Sequence, residues 1–277
     1  MLKTIMVPTD GSPYSERALP IAQVIASAQG AQVQLVQVVE FPTVMSDGDN
    51  YSDAQVFQQM LDILTDSAQA NLDRLSTRFQ TEGVPTVATR LLGHSAQSLL
   101  SFEQDLRPDL VVMATKGRSG LARFALGSVA DRMIREGTAP VLLVRDEPPG
   151  AAIQKALVML DGSGVAEGAL GIARVLAGRP LREVELLGVV SDARDQKPAE
   201  TYLEGVAKQL GSEGVKTTVR VEIGEPETVI QAVSKNVDLV ILCTHGRGGI
   251  DRLRHGSVAE RVVRESTKPV LLVRADP

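Results

Sequence analysis

The sequence is poor in aromatic residues, with no tryptophan, three tyrosines and five phenylalanines in 277 residues. A core without large rings must be closed by Val, Leu, Ile, Met and Ala, a composition that suits parallel strands covered by helices. There is one cysteine, Cys243, which excludes an intrachain disulfide framework. Its place in an apolar strand reads as an inert, buried thiol. No apolar run approaches the length of a membrane span and no signal-peptide pattern precedes the first strand, so a cytoplasmic chain without membrane partners is expected. None of the three histidines, His94, His245 and His255, has a second His or Cys at ligand spacing, and no metal site is expected. A formal charge of −5 argues against broad binding to nucleic-acid backbones.

What the chain does have is a repeat. Asp109–Ser128 (DLVVMATKGRSGLARFALGS) returns as Asp238–Ser257 (DLVILCTHGRGGIDRLRHGS), displaced by 129 positions (238 − 109). Each copy is an apolar strand, Leu110–Ala114 or Leu239–Cys243, followed by a glycine-containing polar loop and a Gly-Ser pair before a helical pattern. The repeat divides the chain into domains 1–147 and 148–277, with a linker composition at Asp146-Glu147-Pro148-Pro149-Gly150. Each is long enough to bury a core of its own.

In order, the first half reads as strands at Lys3–Val7, Val33–Val39, Val84–Arg90, Leu110–Ala114 and Val141–Val144. Helices lie between them. The first carries Ala18, Leu19, Ile21, Ala22, Ile25 and Ala26, is cappable by Ser12 or Ser15, and ends at Gly30. A long helix runs from about Gln55 to Phe79, a shorter one from about Ser95 to Phe102, and the last passes through Val129, Met133 and Ile134. Pro42–Ser52 has the composition of a loop or lid. The second half repeats the strands at Lys155–Leu160, Glu185–Val190, Val219–Gly224, Leu239–Cys243 and Val270–Val273. Asp10 to Gly117 spans 107 positions (117 − 10) and Asp161 to Gly246 only 85 (246 − 161); the shortfall is placed between the second strand and the long helix. Five strands alternating with helices imply a mostly parallel sheet in each half. Ligands bind such sheets beyond the carboxyl ends of the strands, where the strand order switches.

Residues with chemistry gather at those ends. Gly117 is followed by nine residues and Gly127-Ser128, and Gly246 by nine residues and Gly256-Ser257. Glycines permit positive φ and close approach of backbone N–H groups to an anion, and a serine at a helix start caps it or donates to a phosphate. Arg118, Arg123, Arg247 and Arg252 add positive charge. The competing reading makes the glycines turns and the serines caps. Asp10 and Asp161, closing the first strands, can accept hydrogen bonds from a ribose or adenine, hold a metal near phosphates, or merely form Asx-turns with Gly11 and Gly162. His245 stands where the first half has Lys116, and neither is supported as a required base. The loops are not P-loops, because no GxxxxGK[ST] is present, and no GxGxxG follows Val7 or Leu160, which disfavours NAD and FAD. No nucleophile elbow or metal-bound water is signalled, so binding is favoured over catalysis.

The chain resembles the universal stress protein family in its tandem form. Val7-Pro8-Thr9-Asp10-Gly11-Ser12, the run Gly117-Arg118-Ser119-Gly120-Leu121 leading to Gly127-Ser128-Val129-Ala130, and Pro140–Val144 carry the resemblance. Asp161-Gly162-Ser163, Gly246-Arg247-Gly248-Gly249 leading to Gly256-Ser257-Val258-Ala259, and Pro269–Val273 carry it in the second half. The resemblance implies two Rossmann-like domains of the adenine nucleotide alpha hydrolase type, each a five-stranded mostly parallel sheet flanked by helices. It also implies ATP, with or without Mg²⁺, as the cofactor. Adenine would meet the backbone at Val38 or Val189 with Asp10 or Asp161 nearby. The phosphates would lie on Gly117, Arg118, Gly127 and Ser128, or on Gly246, Arg247, Gly256 and Ser257. Pro8, Thr9, Gly120 and Val129, with Gly249 and Val258, complete the candidate set. The family's ATP-binding pattern begins with a further glycine, where this chain has Ala114 and Cys243. By the same resemblance the last strands, Val141–Val144 and Val270–Val273, would pair within the chain as a pseudo-dimer, leaving a homodimer of two chains and an unidentified protein partner open. Three functions compete: an ATP-binding regulator or sensor in stress response, a slow ATPase or nucleotidyl-transfer relative, and a nucleotide-free interaction scaffold.

Overall fold

The computed structural model describes residues 1–41, 50–116, 126–145, 152–212, 214–244 and 258–274. The first half contains strands β1 (Thr4–Thr9), β2 (Gln32–Val39), β3 (Thr86–Leu92), β4 (Leu110–Ala114) and β5 (Val141–Val144), and helices α1 (Leu19–Gln29), α2 (Asn50–Thr81), α3 (Ser95–Leu106) and α4 (Ser128–Glu136). The second repeats them as β6 (Lys155–Met159), β7 (Glu183–Val190), β8 (Lys216–Ile223), β9 (Leu239–Thr244) and β10 (Val270–Arg274), with α5 (Gly168–Leu176), α6 (Ala193–Ser212), α7 (Pro226–Val233) and α8 (Val258–Glu265).

The strands form one ten-stranded sheet in the order β3-β2-β1-β4-β5-β10-β9-β6-β7-β8. The expectation of a five-stranded sheet in each half is corrected to one continuous sheet, because the expected pairing of the two last strands joins them. β5 and β10 pair antiparallel, Leu142 opposite Leu271, while every other pairing is parallel. The last strand of each half is short, apolar and fully or largely buried, so an unpaired edge there would leave hydrogen-bonding groups dry. Joining the two edges satisfies both.

Two apolar clusters, one on each face, run through both halves. One gathers α1, α2, α5 and α6 through residues such as Ile21, Leu72, Ala173 and Leu203. The other gathers α3, α4, α7 and α8 through Leu99, Met133, Ile230 and Val263. Central strands buried on both faces are continuous aliphatic runs, as in β4, whereas the outermost strands β3 and β8 alternate in exposure, the pattern of a sheet covered at its centre and bared at its rims. Each half also clamps its own topology with an aspartate. Asp109 accepts from the backbone of Lys3 (2.6 Å) and Thr4 (2.9 Å), tying the start of β4 to the start of β1. Asp238 does the same for Gln154 and Lys155 (2.9 and 3.0 Å).

Polar groups lock the halves together. Arg274, at the end of β10, donates to the carbonyls of Arg135 (2.7 Å) and Gly137 at the C-terminus of α4. Arg145, after β5, donates to the carbonyl of Val263 in α8 (2.8 Å). A cation at a helix C-terminus meets both orphan carbonyls and the negative end of the helix dipole. On the other face the buried Gln29 accepts from the Leu2 N–H (3.2 Å) and donates to the carbonyls of Val175 (2.9 Å) and Arg179.

The shortfall in the second half is shared between the helix and the connection before it: α2 has 32 residues and α6 has 20, while ten positions separate β2 from α2 and two separate β7 from α6. Accordingly, Asn50–Ser52, read as loop from composition, are helical; the rest of the Pro42–Ser52 segment lies outside the described residues.

Candidate functional site

In the first half the strand order reverses between β1 and β4: β2 and β3 build outward on one side of β1, β4 and β5 on the other. The carboxyl ends of β1 and β4 therefore stand side by side, and a cavity of about 400 Å³ opens above them. This volume lies within the usual range for small-molecule sites. Pro8, Thr9, Asp10, Val38, Gly127, Ser128 and Val129, all nominated from the sequence, line it together. Gly117, Arg118, Gly120, Gly246, Arg247, Gly249, Gly256 and Ser257 lie outside the described residues, as do His245 and His255.

The floor is set by the turn after β1. Gly11 has φ of 76°, a conformation that glycine adopts without strain, and a Cβ there would stand 3.4 Å from the Asn71 side-chain nitrogen. Asp10 Oδ1 accepts from the Ser12 N–H at 2.9 Å, so the Asx-turn reading is realised. A carboxylate has lone pairs for further donors, and Asp10 also lines the cavity. Below it the hydroxyls form a network. Ser15 Oγ donates to the Ser12 carbonyl (2.9 Å) and contacts Thr9 Oγ1 (3.0 Å), and Thr9 Oγ1 accepts from the Gly11 N–H (3.1 Å). Ser12 Oγ accepts from the Ser15 N–H at 3.2 Å at the entry to a 3-10 turn, Ser15–Ala18. The expectation that Ser12 or Ser15 caps α1 is corrected, because Ala18 holds the cap position and no side chain bonds there.

The wall opposite is the start of α4. Gly127 occupies the cap position with φ −66° and ψ 148°, and no side chain caps the helix; Ser128 is its first residue. Two expectations are corrected here. Ser128 does not cap α4, and Gly127 is not needed for positive φ. Its requirement is close approach: a Cβ would lie 3.1 Å from the Thr115 carbonyl, which accepts from the Gly127 N–H at 2.8 Å. The N-terminal amides of α4 thus face the cavity beside Ser128, Val129 and Ala130, an arrangement suited to an anion.

Sequence reasoning missed several lining residues: Ser15, Gln37, Glu40, Leu64, Ser95, Leu99, Thr115 and Lys116. Gln37 accepts from Asn71 Nδ2 at 2.8 Å, fixing α2 against β2. Glu40 Oε1 accepts from the Ser95 N–H (3.1 Å) and hydroxyl (2.6 Å), so a carboxylate just past β2 covers the positive end of α3. The only sequence signal for this pair was a glutamate after a strand and a serine before a helix.

The second half departs at the same level. Met159 ends β6, and Asp161 Oδ1 accepts from both the backbone N–H (2.9 Å) and hydroxyl (2.6 Å) of Ser163. Ala166 stands where the first half has Ser15, Leu160 where it has Thr9, Gly188 where it has Gln37, and Tyr202 where it has Asn71. The Tyr202 hydroxyl donates to Glu167 Oε1 at 2.9 Å, and burial, with Glu167 beside it, pushes the phenol's pKa well up. Val189 and Val258 are half-buried against the core. Cys243 is half-buried, not fully buried as expected, with its Sγ against Gly168, where a Cβ would be 2.9 Å away. Burial raises the thiol pKa, which favours the protonated form.

Among the described residues no group of three or more His, Cys, Asp or Glu is placed to hold a metal, and no helix is long and apolar enough to cross a membrane. The model of the universal stress protein family matches residues 1–145 and again 152–274. A universal stress protein of Synechocystis sp. is 27% identical over 99% of this chain and 100% of its own. One from Mycolicibacterium smegmatis is 28% identical over 98% and 96%. The crystal structure of a universal stress protein from Archaeoglobus fulgidus superposes with a TM-score of 0.79 at 21% identity, covering 98% of both chains, which shows the shared fold. With both halves matched by one family model and relatives aligned end to end, the chain belongs to the universal stress protein family, in its tandem two-domain form.

Proposed function

We propose that the first half binds an adenine nucleotide, ATP with Mg²⁺, and that the chain is a cytoplasmic stress-response sensor or slow switch built from domains 1–147 and 148–277. The observation that carries this reading is the cavity between the Asp10 turn and the uncapped start of α4. The residues present fit such a ligand: Gly127 keeps the α4 amides open to phosphate oxygens, since a side chain there would meet the Thr115 carbonyl. The backbone at Val38 would hold the base and Asp10 would accept ribose hydroxyls, while Ser128 and Lys116 would attend the phosphates. The bound nucleotide would bring a polyanion to a helix N-terminus, and binding, not turnover, is the chemistry these side chains support. The second half, with Leu160 and Ala166 in place of two hydroxyls and Tyr202 tied to Glu167, is the weaker site.

Isothermal titration of nucleotide-stripped protein with ATP and Mg²⁺ tests the reading. A stoichiometry near one, abolished in a folded Gly127→Val variant, is the expected result. Absence of heat and of any thermal shift with adenine nucleotides would leave the scaffold reading. ATP turnover abolished by Asp10→Asn would turn the first half into an enzyme.

A further inference from the structure

The difference in length between α2 and α6 leaves the first half with a projecting helical arm. At 1.5 Å per residue α2 is about 48 Å long and α6 about 30 Å. The buried residues of α2, Ala68, Leu72, Leu75 and Phe79, all lie in its C-terminal half. From Ala54 to Ser67 no side chain is buried. Yet this exposed stretch is not polar. Val56, Met60 and Ile63 are 45%, 41% and 67% exposed at i, i+4 and i+7, one continuous stripe on a helix. That stripe is offset from the one that carries Leu72 and Phe79 into the core. Singly exposed apolar residues are ordinary, but a stripe in helical register on a helix face that none of the described residues buries is the form of a helix-docking surface.

The charge around the stripe identifies what fits it. Between Ala54 and Asp73 there are three aspartates, Asp62, Asp66 and Asp73, and no lysine or arginine. Asp66 follows Ile63 by three residues and so adjoins it on the helix surface. Arg90 of β3 reaches the Thr65 carbonyl and Gln69 Oε1, both at 3.4 Å, on the side of α2 away from Ile63. A second copy laid on the stripe would set aspartates against aspartates, and an anionic membrane would be repelled in the same way. From this complementarity we infer that the N-terminal arm of α2 is a docking site for a basic amphipathic helix of a partner protein, apolar on one side and flanked by Lys or Arg. Leu64, on the same arm, lines the nucleotide cavity, so the partner would sit against the wall of that site. The inference does not depend on the nucleotide reading.

The test uses the full chain and a fluorescent synthetic peptide of leucine and lysine patterned as an amphipathic helix, with its leucine–glutamate counterpart and a scrambled leucine–lysine peptide as controls. Saturable one-to-one binding of the first peptide alone is expected, weakened by about tenfold or more in a Met60→Glu/Ile63→Glu variant, on the scale of losing interface anchors. Asp62→Lys/Asp66→Lys should shift the preference to the glutamate peptide. All substituted side chains are exposed, and circular dichroism checks that the variants fold. Equal binding of all three peptides, no saturable binding, or indifference to both variants overturns the inference. So does self-association by sedimentation, or binding to phosphatidylglycerol vesicles, that Met60→Glu/Ile63→Glu abolishes, since the occupant would then be a second copy or a lipid surface.

Discussion

The two halves share a strand order, an aspartate clamp and a reciprocal arginine grip, but they stabilise corresponding places with different chemistry. Where α3 meets the turn into β5, the fully buried Glu103 accepts three hydrogen bonds on Oε1: from the Thr138 N–H (2.9 Å), the Thr138 hydroxyl (2.7 Å) and the Ala139 N–H (2.7 Å). The second half makes the equivalent turn with a hydroxyl. Ser266 Oγ donates to the Lys268 carbonyl and accepts from its N–H, both at 3.0 Å. The turns after the first strand of each half differ in the same sense, with Thr9 and Ser15 replaced by Leu160 and Ala166. Duplication therefore preserved the parts that the sheet requires, while the polar groups facing a ligand or a turn diverged.

The largest effect expected from breaking this comparison is at Glu103. Glu103→Ala leaves three donors unmet in a dry site and should cost about 3 kcal/mol, whereas Ser266→Ala should cost about 1 kcal/mol. Urea unfolding of the two variants measures the difference, and equal losses would mean that the two turns carry the same load. Next is Ser15→Ala, which removes the hydroxyl joining Thr9 to the Ser12 carbonyl and makes the first turn resemble the second. It should weaken ATP binding by about 5–10-fold through loosening of the Asp10 turn, for a hydrogen bond worth about 1 kcal/mol. An unchanged affinity in the titration would detach that network from the site.

The smallest effect concerns Cys243, which stands where the first half has Ala114. Because burial raises the native thiol pKa, the folded state favours the protonated form. The stability this contributes is intact below the unfolded thiol value, about 8.5, and is lost as pH rises through the higher native one. Alkylation rates with iodoacetamide should thus titrate above the free-thiol value in the native protein and return to it in urea. The small alkaline loss of stability should vanish in Cys243→Ala.

Some of this architecture was legible residue by residue. β4 and β5 occupy the positions expected of them, Leu110–Ala114 and Val141–Val144, because strands buried on both faces are unbroken aliphatic runs. β8 begins at Lys216, three residues before the expected Val219. It is an outermost strand, and its charged and hydroxyl residues alternate outward in a way that composition does not separate from loop. The start of α2 was misread for a related reason: Asn50, Tyr51 and Ser52 look like turn residues, and helix propensity is overridden by continuation into a long helix. At the site, Asp10, Val38 and Gly127-Ser128 were legible because they close strands or open helices. Gln37, Glu40 and Thr115 were not, since their roles rest on partners distant in the chain.

The repeat, the strands, the helices and the polar residues at their ends follow from the sequence alone, because periodicity and turn chemistry are local. Tertiary structure alone decided three further things. The antiparallel direction and register of the expected pairing between β5 and β10, Leu142 opposite Leu271, made the two sheets continuous. The switch in strand order set Asp10 beside Thr115, more than a hundred residues along the chain, and so made a cavity of two otherwise ordinary turns. And the packing of α2 on one face left Val56, Met60 and Ile63 exposed on another, while Phe57, Leu61 and Leu64 of the same stretch are half-buried, because which apolar face of a helix is covered depends on what packs against it.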